Sequence, residues 1–142
     1  MINKLLLVSL MFLSVSAPGF ASKGIYTPQL GSVERKQIIN ILKADFKVEL
    51  KKPVRIRVTA FKIQHDWSFV RGVILDKSGG PMDYKGTPYQ GAVEAGMFDD
   101  WFCSLLHKEK GKWRIVTHAI GATDMPYLDW ADIHNAPGGI FK

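Results

Sequence analysis

Residues 53–76 read PVRIRVTAFKIQHDWSFVRGVILD, and the pattern within them sets the fold. From Val54 to Ala60 the even positions Val54, Ile56, Val58 and Ala60 are apolar, while Arg55, Arg57 and Thr59 alternate with them. A period of two puts the two sets on opposite faces of a strand. The phase then switches, because Phe61 and Ile63 are apolar while Lys62 and Gln64 are polar. One extra residue near Ala60, a bulge or a sharp bend, exchanges the faces in this way. The return segment, Trp67 to Leu75, is apolar on both faces apart from Ser68, Arg71 and Gly72. That marks a central strand covered on both sides. The two strands meet at Gln64-His65-Asp66, which carries no Asn-Gly or Asp-Gly signal and leaves the turn type open.

Outward from this hairpin, a second one is expected. Residues 101–108 and 113–120 are strand-like, joined by Glu109-Lys110-Gly111-Lys112. Upstream, Ser32 suits a helix N-cap and Glu34 suits the first turn, where the helix dipole favours an acid. Ile38, Ile39, Leu42 and Phe46 follow at helical spacing, so residues 33–46 form an amphipathic helix that lies on the sheet. Residues 47–52 read as an edge strand or a link ended by Pro53. Residues 76–98 are the longest irregular stretch, rich in glycine and proline but carrying Met82, Tyr84 and Tyr89. A segment of that length and content is an ordered flap. After Gly121, Thr123 or Asp124 caps a short final helix with Pro126 early in it and Tyr127, Trp130 and Ile133 along it. The tail 136–142 ends on Ile140 and Phe141, which pack back. Helix and antiparallel strands are segregated, so the class is α+β, with one helix on about four strands.

The chain has 142 residues, enough for one domain with a real core and not for two. Its start, Lys4 followed by apolar residues 5–13 and small residues at Gly19 and Ala21, describes a secretory signal peptide over residues 1–21. The apolar run is too short to span a bilayer, which takes about 20 residues. No cysteine stands near the cleavage region to carry a lipid, so no stable membrane anchor remains after cleavage. The mature domain, 22–142, is then periplasmic or secreted. Cys103 is the single cysteine, so an intrachain disulfide is excluded, and it sits in an apolar strand as a small hydrophobe. The net charge is +6, and loss of Lys4 makes the mature domain one unit less basic. In an export compartment nucleic acid is not the partner; an anionic polymer, lipid headgroups or an acidic protein suit this charge.

The run Gly111-Lys112-Trp113-Arg114-Ile115-Val116-Thr117-His118, after a helix and a curved antiparallel sheet, resembles the last strands of NTF2-like and cystatin-like cone folds. The resemblance implies a concave pocket between helix and sheet and no particular activity.

Chemistry-bearing residues are sparse. No pair among His65, His107, His118 and His134 has metal-ligand spacing, so neither a metal site nor a cofactor is expected. His118 is the best acid–base candidate, with Asp124 or Asp99 as the carboxylate that orients its ring. The plainer reading is a half-buried histidine bonded to backbone or water. His65-Asp66-Trp67 reads as an exposed turn. Asp129 and Asp132 share one helix face and read as solvated, and Cys103 reads as inert. No phosphate-binding loop or nucleophile elbow is present. Tyr84, Tyr89 and Trp130 are candidate anchors for a partner or a small apolar ligand, although large aromatics in small domains are mostly core. The leading expectation is therefore an exported, non-enzymatic binding domain of the protein-interaction, inhibitor or immunity type, with an envelope protein as partner. The alternative is an NTF2-like small-molecule binder or enzyme built around His118 and Asp124. A structural component of an envelope assembly is the third.

Overall fold

The computed structural model describes residues 24–142; the expected signal peptide lies outside them. The elements run α1 (Val33–Leu50), β1 (Arg55–Gln64), β2 (Trp67–Leu75), α2 (Gln90–Glu94), β3 (Phe102–Glu109), β4 (Lys112–Ile120), α3 (Trp130–His134) and a 3₁₀ turn (Gly138–Phe141). The four strands form one antiparallel sheet in the order β1-β2-β3-β4, so the α+β class holds. No helix of the described residues is long and apolar enough to cross a membrane.

The phase switch in β1 has the expected cause. Val58 pairs with Gly72 and Ala60 with Arg71, leaving Thr59 as the extra residue of a bulge. Phe61 and Ile63 are thereby turned into the core. Gly72 sits opposite this bulge because nothing larger fits: a Cβ there would lie 2.3 Å from the Arg57 carbonyl oxygen. His65 turns the first hairpin with φ of 53°, and Lys110 and Gly111, both at positive φ, turn the second. Two successive positive φ values make that second turn the I′ type matched to strand twist.

α1 is longer than residues 33–46. Its buried stripe is Ile38, Leu42, Phe46 and Leu50, one residue every four, and the left-handed Lys51 ends it. Residues 47–50 of the segment read as an edge strand or link are thus the helix's last turn, and residues 51–52 are the link. Val33, the first helical residue, is exposed. Ser32 caps the helix as expected, with the Arg35 amide donating to its Oγ at 3.3 Å. The final helix is shorter than its sequence suggests, because 125–130 forms successive turns and only Trp130–His134 is helical. Ile133 stays exposed there.

The sheet is covered on both faces. On one, α1 and the flap bury Phe61, Ile63, Val70, Ile74, Phe102 and Leu106. On the other, the C-terminal segment brings Tyr127, Trp130, Ala136 and Ile140 onto Phe69, Cys103 and Leu105. β2 is central and covered on both sides, as its composition required. The tail does pack back, with Phe141 4.8 Å from Phe69 between ring centres.

Candidate functional site

The site is built where α1 crosses β4. Leu105 of β3 pairs with Thr117 and Leu106 with Ile115, so Val116 is an extra residue in β4. Before this bulge the odd positions Trp113 and Ile115 face α1; after it the even positions His118 and Ile120 do. The bulge therefore aims His118 at the helix. Phe46 meets its ring edge-on at 5.6 Å between centroids and holds its plane.

Two carboxylates one turn apart on α1 meet the imidazole. His118 Nε2 lies 2.8 Å from Glu49 Oε2, and Nδ1 lies 3.5 Å from Asp45 Oδ2. The second contact is not aligned as a hydrogen bond, and Asp45 Oδ2 is buried without any hydrogen-bond partner. The Tyr89 hydroxyl, from the flap, donates to the other Glu49 oxygen. Burial first, and then this bond, push the Tyr89 phenol above its ordinary range, so it stays a donor. The side chains of His118, Glu49 and Asp45 keep 23 %, 29 % and 42 % exposure, so solvent reaches the cluster.

The flap is anchored beside it. Lys52 Nζ donates to the carbonyls of Asp83 and, at 2.8 Å, Lys85. Tyr84 packs 4.5 Å from Phe98, and its phenol is raised by burial and by the nearby Asp100 carboxylate. Gly121 lets Phe98 approach: its φ is 76°, and a Cβ would lie 2.1 Å from that ring.

Asp124 is exposed beyond the end of β4, and Asp99 is exposed as well. The carboxylates at His118 come instead from α1. Tyr84 is buried and Tyr89 half-buried on the α1 face, while Trp130 is buried on the opposite face against Phe69 and Tyr127. The structure does not bring these three into one surface. His65 is exposed at the hairpin tip, His107 stacks on Trp67 at 4.1 Å, and Asp129 and Asp132 are exposed. Cys103 is fully buried, and burial raises its thiol to about 12.

A helix over residues 33–46 contains Asp45 but stops short of Glu49, so the pair does not show in it. Leu50, one step further along the stripe, is the signal that extends it and puts the two acids at i and i+4 on one face. Beside them, Ile41, Ala44, Asp45 and Val48 of α1 and Trp113, Arg114 and Ile115 of β4 line an open trough of about 490 Å³. Val48 in it is 77 % exposed. The outer side of β4 is an edge of the sheet.

No family model, curated protein or solved structure matches this chain.

Proposed function

We propose that the protein is an exported, non-enzymatic binding domain that takes an extended acidic segment of an envelope protein along the α1–β4 trough. One observation carries the reading: an edge strand bearing exposed Lys112 and Arg114 borders an open trough whose apolar lining is Ile41, Ala44, Val48, Trp113 and Ile115, with Asp45 beside them. A strand edge offers unpaired amides and carbonyls to an incoming chain, and alternate side chains of that chain fit a neighbouring trough. Lysine on an edge and a bulge beside it discourage pairing between like edges. A basic edge therefore repels a second copy of itself and admits an acidic strand. The Tyr84–Tyr89–Trp130 surface is not part of this proposal, because those rings are taken up in packing. Export rests on residues 1–21, and a full-length protein retained uncleaved in the cytosol would remove it.

The test is native mass spectrometry of the chain after incubation with an extract of its own cell envelope. A stoichiometric partner lost in Lys112→Glu/Arg114→Glu and kept in Trp130→Phe supports the trough. A partner indifferent to the charge reversal rejects it.

The small-molecule alternative survives in altered form, because His118 does have carboxylate partners. They are Glu49 and Asp45 in place of Asp124.

A further inference from the structure

We infer that Asp45, Glu49 and His118 form a binding site for a first-row divalent cation of the Zn²⁺ class. This goes beyond the trough and does not depend on it. Each of the three offers one ligand atom, and these atoms lie within 4.8 Å of one another, the one such group among the described residues. Ligands of a tetrahedral ion with bonds of about 2.1 Å stand about 3.4 Å apart. The Glu49 contact of 2.8 Å is made to Nε2 and the Asp45 contact of 3.5 Å to Nδ1, so an ion takes one ring nitrogen with the carboxylate nearest it, and the other carboxylate swings to join them. The carboxylate side chains keep 29 % and 42 % exposure, which leaves them room to rotate.

A second observation points the same way. Neutral imidazole has one donor nitrogen and one acceptor nitrogen, and a carboxylate only accepts. A neutral ring with a carboxylate facing each nitrogen therefore sets one carboxylate against a lone pair. Asp45 Oδ2 is also buried without a hydrogen-bond partner. A cation among the three resolves both faults at once. One imidazole with two carboxylates suits borderline ions such as Zn²⁺ better than Mg²⁺, which prefers an all-oxygen octahedron. The outer shell is in place: Tyr89 holds Glu49 by its free oxygen, and Phe46 fixes the imidazole plane. Three protein ligands leave a fourth position for water or for a donor from a bound molecule.

The test is isothermal titration of the full chain with ZnCl₂. One saturable site in the micromolar range is expected, with MgCl₂ binding at least about tenfold more weakly. Glu49→Gln and Asp45→Asn keep side-chain shape and hence the fold, and each weakens Zn²⁺ by about tenfold or more, as does His118→Ala. His107→Ala, which removes the imidazole 3.3 Å from Glu109, leaves the affinity unchanged. Zinc-edge absorption of the loaded protein reports one nitrogen and otherwise oxygen neighbours. No saturable Zn²⁺ binding up to about 1 mM overturns the site, leaving a second ring proton to hold both carboxylates. Zn²⁺ binding that ignores Glu49→Gln and Asp45→Asn, or that is lost in His107→Ala, overturns it equally.

Discussion

The two faces of one sheet are finished in different ways, and the difference locates the site. A helix about 10 Å across lies on a sheet whose outer strands are about 14 Å apart. One helix cannot cover that width, so α1 and the flap seal most of this face, including Trp113 and Ile120 of β4, and leave an open trough between α1 and β4. The opposite face is closed by turns, a five-residue helix and a terminal 3₁₀ turn, which follow the surface and pack ring against ring. Regular structure leaves gaps at its edges, whereas an irregular cover conforms. The ionisable cluster lies at such a gap.

The comparison breaks most visibly through the large rings. Phe46 is fully buried, 5.0 Å from Phe102 and 5.6 Å from His118. Phe46→Ala is expected to cost about 3–5 kcal/mol by denaturant titration, because a rigid helix cannot collapse into the void. Phe141 is only partly buried at the end of the conforming cover, against Phe69 and Tyr127. Phe141→Ala is expected to cost about 1–2 kcal/mol and to raise amide exchange in residues 126–142 while α1 stays protected. Equal costs for the two would mean that the covers do not differ.

Next comes the close crossing of β1 and β2. Gly72→Ala sets a Cβ against the Arg57 carbonyl, a backbone atom that cannot swing away. A loss of about 1–3 kcal/mol is expected. An unchanged midpoint would mean that the Thr59 bulge yields freely. Tyr89→Phe is smaller again, about 1–2 kcal/mol for one hydrogen bond to a carboxylate, and it tests whether the flap is tied to α1 through Glu49.

How much of this the sequence carries depends on range. The Thr59 bulge is written in β1 as a switch of apolar phase, visible because Arg55, Arg57 and Lys62 contrast with their neighbours. The Val116 bulge is a switch of the same kind, yet Val116 and Ala119 are apolar themselves and blur it. Tyr84 and Trp130 illustrate another limit: an aromatic residue in a loop has the same letter whether it anchors a partner or seals a core. The cluster at His118 is further out of reach, since Glu49 is 69 residues away and only the α1–β4 crossing joins them. Spacing motifs detect ligands on one element; this group is assembled from two.

The last way to sharpen the contrast is alkaline, and one group from each face serves for it. Cys103 lies under the conforming cover, and burial raises its thiol from 9.0 to about 12, against the weaker pulls of the Ala119 backbone and of Arg71. Tyr26 lies on the α1 side, and burial followed by its bond to Glu34 raises its phenol from 10.0 to about 12. Both folded values exceed the unfolded ones, so each group's contribution is complete below its unfolded value and is lost as pH rises through the window. For Cys103 that window runs from pH 9.0 to about 12, with a slope of at most about 1.4 kcal/mol per pH unit. Cys103→Ala is therefore expected to flatten the decline of stability above pH 9, and Tyr26→Phe to flatten it only above pH 10. Neither removes its alkaline contribution at neutral pH, where both native groups are protonated in either state. A Cys103→Ala protein whose stability falls as steeply as the parent's between pH 9 and 10 would mean that water already reaches the thiol, and that the C-terminal cover is looser than its ring packing implies.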